Sequence, residues 1–153
     1  MAEYTQKQYP EKDKERLEKM LGETKESREI LDQLDTDLIT LSVSDPENIK
    51  NVAKKATASG NYLRKKLGVL TAAVTNEKAN RYMEIKLECS TNNIKMTESA
   101  AKEDAEGYVA PLRTARNVLE AYVISADNVV SFCRMCLNSY SQGVGQAGNE
   151  VQL

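Results

Sequence analysis

The stretch that decides the fold spans residues 108–140 and reads YVAPLRTARNVLEAYVISADNVVSFCRMCLNSY. Apolar and aromatic residues recur there at alternating steps of four and three, a spacing that keeps one stripe of an α-helix against neighbouring helices. Further apolar residues widen the stripe, so about half of the helix surface would be buried, more than a two-stranded seam requires. The pattern predicts a long helix with more than one neighbour. The stripe consists of Tyr108, Leu112, Ala115, Leu119, Tyr122, Ala126, Val129, Cys133, Cys136 and Tyr140.

The composition favours helices in a small soluble protein. The 153 residues suit one modest core, 29% of them are charged, and only three prolines and seven glycines occur. We find no apolar run of membrane-spanning length and no secretory signal. We therefore expect a cytoplasmic protein with no membrane partner.

The sequence contains no catalytic constellation. It has no histidine, which removes the usual general base near neutral pH and every Ser-His or Cys-His arrangement. Cys133 and Cys136 form a C-x-x-C, but it lies inside the helical stripe without a second ligand pair, so we interpret all three cysteines as buried reduced thiols. We predict no enzyme activity, no cofactor and no metal site.

The periodicity predicts an all-α fold, an antiparallel bundle of three to four long helices with coiled-coil character. We expect helices at about 11–43, 46–88 and 97–140 within one helical domain covering 11–140. Residues 1–10 would form a flexible lead, and the glycine-rich residues 141–153 a disordered tail.

Several boundaries leave alternatives open. The second helix would be capped by Ser44 or Asp45, with Pro46 in its first turn. Gly60 marks either a bend or a break in that helix. Pro111 predicts either a kink in the last helix or a separate short helix before it, because an interior proline costs about 3 kcal/mol.

The width of the last stripe also predicts self-association. In the first helix, Thr24 and Arg28 occupy seam positions, so its beginning should fray unless a partner chain covers it. Helices of unequal length would leave apolar ends uncovered in a monomer. We expect a homo-oligomer whose interface includes Leu112, Leu119, Tyr122, Val129 and Cys133.

Charge is unevenly distributed along the chain. Residues 1–45 carry a net charge of −5, residues 46–90 a net charge of +5, and residues 91–153 a net charge of −2. The basic middle segment, with tyrosines beside its cations, could hold a nucleic-acid backbone and stack a base; alternatively, it pairs with the acidic first helix. The candidate nucleic-acid-binding residues are Lys54, Lys55, Tyr62, Arg64, Lys65, Lys66 and Arg81.

Four short segments carry a resemblance to a known family. They are YLRKK at 62–66, KANRY at 78–82, MTESAAK at 96–102, and FC at 132–133 followed by Leu137. Over roughly residues 60–140 the chain resembles the small helical recombination mediators of T-even-type phages, the UvsY-type proteins. The resemblance implies a ring oligomer that binds single-stranded DNA and helps a recombinase replace the single-strand-binding protein, without hydrolysing nucleotide.

Two classes of function follow. The first is a non-enzymatic oligomeric mediator or loader on single-stranded DNA, with a recombinase or other protein as partner and, if phage-encoded, the host-cell cytoplasm as location. The second is a protein-only interaction module, such as a phage adaptor, a scaffold or a host-defence inhibitor, whose helical stripes bind protein and no nucleic acid.

Overall fold

The computed structural model describes residues 4–42 and 44–150, with side chains as far as residue 143, and every regular element among them is helical. The order is α1 (Glu11–Glu23), α2 (Lys25–Asp37), a 3₁₀ turn (Leu38–Thr40), α3 (Pro46–Thr91), α4 (Glu98–Tyr108) and α5 (Ala110–Glu150). The predicted all-α class is thereby confirmed. Over the same residues, no helix combines the length and the apolarity needed to cross a membrane.

The predicted first helix, residues 11–43, is divided into two. Helices α1 and α2 meet at Thr24, whose side chain is completely buried and whose hydroxyl accepts a hydrogen bond from Nε of Arg28 at 3.2 Å. The polar pair that breaks the apolar pattern is therefore satisfied within the chain. Regular helix then gives way at Asp37 to the 3₁₀ turn, and residue 43 lies outside the described residues.

Helix α3 begins at a capped proline and runs without a break. Oδ1 of Asp45 accepts a hydrogen bond from the backbone N–H of Asn48 at 3.1 Å, so Asp45 caps the helix, and Pro46 occupies a position that needs no donor. Gly60 lies inside the helix and is not a break. The helix ends before Asn93, which has a positive φ of 53° that asparagine tolerates better than most residues.

The predicted last helix, residues 97–140, is two helices. Thr97 caps α4, because its Oγ1 accepts a hydrogen bond from the N–H of Ala100 at 3.2 Å. The separation falls at Val109, so the structure has the break rather than the kink. Pro111 then lies in the first turn of α5, where its missing N–H removes no helical hydrogen bond.

The chain forms two compact units, and α3 and α5 each contribute residues to both. Unit 1 comprises Met1–Glu23 and Lys66–Leu119, and unit 2 comprises Thr24–Lys65 and Glu120–Leu153. Each has its own buried apolar residues. Those of unit 1 are Leu17, Leu70, Val74, Ile85, Ala101, Ala105, Val109, Leu112, Ala115 and Leu119; those of unit 2 are Leu31, Leu34, Ile49, Val52, Ala56, Leu63, Val123, Ala126, Val129, Cys133 and Cys136.

The two ends of the chain, predicted as a flexible lead and a disordered tail, are described in part. Ahead of α1, Nζ of Lys7 lies 2.6 Å from the Glu88 carboxylate, and the ring of Tyr9 stacks edge-on against Tyr108 at 5.4 Å. Residues ahead of α1 therefore contact an acidic and an aromatic side chain of unit 1. At the other end α5 continues to Glu150, since each glycine weakens a helix by about 1 kcal/mol without forbidding it. Residues 151–153 lie outside the described residues.

The residues predicted as an oligomer interface lie inside the chain's own cores. Leu112, Leu119, Val129 and Cys133 are all buried. Tyr122 is half-buried, donates a hydrogen bond to Oδ2 of Asp32 at 3.1 Å, and packs under the guanidinium of Arg28. The prediction for these residues needs correction, because helices of the same chain cover the stripe of α5.

Candidate nucleic-acid interface

The exposed side of α3 carries the strongest cationic surface of unit 2. No acidic residue occurs in α3 between Glu47 and Glu77. Lys54, Lys55 and Lys65 are exposed there and make no ion pair within the part of the chain that the structure describes.

The three lysines share one side of the helix with an aromatic ring. Lys54 and Lys65 are separated by about three helical turns, or about 16 Å along the axis. Tyr62, with 38% of its side chain exposed, lies on the same side as Lys55. We call Lys54, Lys55, Tyr62 and Lys65 the lysine face.

Two further cations of the predicted site flank the lysine face and have partners. In unit 2, Arg64 forms an ion pair with Asp127 of α5. In unit 1, Nζ of Lys66 lies 2.6 Å from the carboxylate of Glu23, at the end of α1, and this hydrogen bond lowers the pKa of Glu23 below its ordinary value. The predicted pairing with the acidic first helix is thus present at Lys66, while exposed ion pairs of this kind contribute little to stability.

Arg81 was predicted to contact a phosphate, but its position in the structure does not allow this. Its side chain is only 1% exposed in unit 1. Nε donates to Oδ1 of the buried Asp104 at 3.2 Å, Nη1 donates to Glu84 at 3.2 Å, and Nη2 donates to the hydroxyl of Tyr4. The guanidinium also faces the ring of Tyr108 at 5.7 Å. Because the guanidinium is buried and hydrogen-bonded to these groups, it is not accessible to a phosphate, and we interpret Arg81 as a structural residue.

Tyr82, the tyrosine that follows Arg81 in the sequence, also belongs to unit 1. It packs partly buried against Ile85, Ala101 and Ala105, and the ammonium of Lys86 lies 5.6 Å from its ring centroid. One face of the ring is therefore already used by a cation. The aromatic side chain of the lysine face in unit 2 is Tyr62.

Sequence reasoning missed one cation beside the lysine face. A shallow groove of about 390 Å³ between α3 and α5 in unit 2 is lined by Lys54 and by Arg134. Arg134 lies outside the apolar stripe of residues 108–140, so the sequence pattern assigned it no role. The position of Arg134 beside Lys54 could not be inferred from the sequence. Which residues of α3 and α5 face each other depends on how each helix is rotated about its axis, and the spacing of residues within one helix does not determine that rotation.

Unit 1 contains a second cationic feature, a cleft among α3, α4 and α5 with a volume of about 770 Å³. Its lining combines four cations and one carboxylate with an apolar floor, a set drawn from three separate helices. We call it the arginine cleft. Its polar lining residues are Thr75, Lys78, Tyr82, Lys102, Glu106, Arg113 and Arg116, and its apolar ones are Val74, Ala79 and Ala105.

Glu106 is the carboxylate on which cleft cations converge. Lys78 and Arg113 both form ion pairs with it, and Nη2 of Arg113 also donates to the Glu106 carbonyl oxygen at 2.9 Å. The hydrogen bond from Lys78 lowers the pKa of Glu106 below its ordinary value, so this side chain is ionised at neutral pH. A negative charge is thus stable at this position in the cleft.

The described linings of the arginine cleft and of the groove beside the lysine face contain no cysteine. Cys133 and Cys136 are buried in unit 2, Cys89 is half-buried, and all three are free thiols. Burial raises the pKa of the Cys133 thiol, which disfavours the reactive thiolate. Among the described residues, no group of three or more histidine, cysteine, aspartate or glutamate side chains is arranged to hold a metal ion.

Comparison with known proteins adds no relative: no protein-family model, curated protein or solved structure matches the chain. Function must therefore be argued from the placement of the side chains, since an all-α architecture alone is compatible with many activities.

Proposed function

We propose that this chain is a non-enzymatic protein that binds single-stranded DNA along the lysine face of α3, and that it acts as a recombination mediator. One observation carries the proposal: among the described residues, Lys54, Lys55 and Lys65 are exposed and form no ion pair, and they lie beside Tyr62 on a stretch of α3 that has no acidic residue. The resemblance to UvsY-type mediators adds the role in recombination and the recombinase partner.

The physical basis of the proposal is electrostatic attraction assisted by stacking. A lysine side chain that neutralises a phosphate releases a condensed counterion, which makes binding favourable and dependent on salt. A tyrosine ring beside such lysines can stack a base of any identity, worth about 1–3 kcal/mol. Neither interaction reads a sequence, so we expect binding with little base preference.

Titration of a fluorescein-labelled single-stranded oligonucleotide by anisotropy, over a series of salt concentrations, tests the proposal. We expect the triple variant Lys54→Ala, Lys55→Ala, Lys65→Ala to bind more weakly at every salt concentration. We also expect the slope of log affinity against log salt to become shallower by about 2, since each lost phosphate contact to a single strand removes about 0.7.

A matched control changes three exposed lysines outside the lysine face, with Lys12→Ala, Lys19→Ala and Lys95→Ala in one chain. This control removes the same charge, so it separates a local site from a general effect of net charge. Equal loss of affinity in both triple variants, or no binding by the wild type at low salt, would reject the lysine face as the site.

A second function is favoured by an exposed apolar strip on α5 in unit 2. Ile124, Phe132 and Met135 are 54%, 37% and 60% exposed, and their spacing places them on one side of the helix. The residues between them on that side, Asn128 and Ser131, are uncharged. An uncharged apolar strip of this kind is typical of a surface that binds another protein, which corresponds to the protein-only interaction module.

The two functions differ in which surface is required. If the chain binds only protein, the triple variant Ile124→Ser, Phe132→Ser, Met135→Ser should no longer associate with its protein partner. In that case the oligonucleotide titration should show no binding. If it is a mediator, the lysine variants weaken DNA binding while the serine variants leave the salt slope unchanged.

A further inference from the structure

The arginine cleft of unit 1 contains a cation, Arg116, that no described carboxylate neutralises. Arg116 is half-buried, and its Nε and Nη2 donate to Oδ1 of Asn117 at 3.2 and 2.8 Å. No carboxylate forms an ion pair with it among the residues that the structure describes. A half-buried guanidinium with only a neutral acceptor retains donors that favour an anion.

The charge of the cleft is positive even with its internal carboxylate included. Lys78, Lys102, Arg113 and Arg116 face Glu106 alone within the lining, and Glu98 outside the lining pairs with Lys102 at 3.0 Å. Within the lining, Lys78 and Arg113 therefore share the one carboxylate of Glu106, and Arg116 adds a further positive charge. Planar guanidinium groups match phosphate oxygens in pairs, which makes such a set more suited to phosphate than to a single carboxylate.

The volume and the apolar part of the lining indicate that the ligand of the cleft is a small molecule. Its volume of about 770 Å³ lies within the range of about 300–1,000 Å³ typical of small-molecule sites. Val74, Ala79 and Ala105 provide an apolar floor, with Tyr82 beside them. A ligand with a phosphate group and a less polar remainder would use both parts of the lining.

We propose that the arginine cleft binds a small phosphorylated molecule, with its phosphate on Arg116 and Arg113 and with the Glu106 carboxylate as an internal competitor. A bound phosphate would accept hydrogen bonds from Arg113 and Lys78. Without a ligand, these two side chains pair with Glu106. This site lies in unit 1 and is independent of the lysine face of unit 2, so either can fail without the other.

Isothermal titration calorimetry of the full chain with inorganic pyrophosphate tests the proposal, with citrate at equal ionic strength as a carboxylate comparison. We expect one pyrophosphate per chain and weaker binding of citrate. Arg116→Gln should weaken pyrophosphate binding by about tenfold or more, because it removes charge-assisted hydrogen bonds. Glu106→Gln should strengthen it, because the internal competitor loses its charge while its size is retained.

Arg16→Gln, on an exposed arginine of α1 in the same unit, is the matched control and should bind as the wild type does. Circular dichroism of each variant establishes that the helices are retained. Absence of pyrophosphate binding, or equal binding by the wild type and both cleft variants, would overturn the proposal. So would a single-stranded oligonucleotide that depends on Arg116 for its affinity, since the cleft would then serve a nucleic-acid chain.

Discussion

Arg81 is the largest side chain that the structure buries completely among the described residues. Removing a guanidinium from water costs several kcal/mol, and only full hydrogen bonding with an opposite charge offsets this cost. Asp104, Glu84 and Tyr4 supply those bonds, and no buried side-chain nitrogen or oxygen of the described residues lacks a partner. Arg81 therefore holds α3, α4 and the N-terminal lead together within unit 1.

Replacing Arg81 with an uncharged residue should leave the carboxylate of Asp104 in the core without its cation. We expect Arg81→Met to lower the free energy of unfolding by about 3–5 kcal/mol, because Asp104 is only 7% exposed and loses its cation. Arg81→Met with Asp104→Leu should recover most of that loss, since the pair is then replaced by apolar groups. Urea unfolding monitored by circular dichroism measures both, and a double variant no more stable than the single one would contradict this account.

The raised pKa of Tyr4 predicts that the free energy of unfolding decreases at alkaline pH. Burial is the main cause that raises the pKa of Tyr4 from 10.0 to about 12, and Asp104 adds to the increase. Because the folded pKa is raised, the contribution of Tyr4 is fully present below pH 10 and is lost as the pH rises towards about 12. Tyr4→Phe should therefore show a smaller decline in the free energy of unfolding across this interval than the wild type. Tyr140→Phe, the same change at an exposed tyrosine, is the control.

At the scale of elements, α3 and α5 approach each other closely in unit 2. A Cβ atom added at Gly60 would lie 2.8 Å from Cβ of Ala126, closer than two such atoms can approach. The glycine that weakens α3 as an isolated helix is thus required by the packing of that helix. The sequence left a bend or a break open at Gly60, whereas the structure has a continuous helix that contacts α5 at this position.

Two glycine substitutions in α3 should have opposite effects. We expect Gly60→Ala to destabilise the chain by about 1–3 kcal/mol, because the added methyl group forces α3 and α5 apart. Gly68→Ala, where nothing lies within 4 Å of the added Cβ, should stabilise it by up to about 1 kcal/mol through helix propensity. Thermal unfolding of both variants provides the measurement, and equal shifts of Tm in one direction would exclude close approach as the reason for Gly60.

For the whole molecule, the structure separates side chains that stabilise the fold from those that could bind a partner. Leu119 and Val129 stabilise their own units, whereas Ile124 and Met135 on the same helix are exposed. The predicted homo-oligomer therefore requires a different surface of α5 from the one that the sequence indicated.

Substitutions on the two sides of α5 should differ in the property that they change. We expect Leu119→Ala to lower the free energy of unfolding by about 2–5 kcal/mol at any protein concentration, since it leaves a cavity in unit 1. We expect the wild type to sediment above 17.0 kDa, and Ile124→Ser with Met135→Ser to return it to 17.0 kDa without loss of helix content. A wild type that sediments only at 17.0 kDa at micromolar concentration would show that the exposed strip does not mediate self-association.

The sequence by itself determined the all-α class, the proline-marked start of α3 and the apolar stripe of α5. These features depend on contacts within a few residues, which periodicity and capping residues encode directly. The tertiary structure decided that Arg81 is buried, that Gly60 is a contact point and that Arg113 and Arg116 share a cleft. It also decided that Lys54, Lys55 and Lys65 form no ion pair with the residues that the structure describes. Each of these outcomes depends on how one helix is rotated against another. That rotation is set by the packing of all the side chains between the helices, and no local spacing reports it.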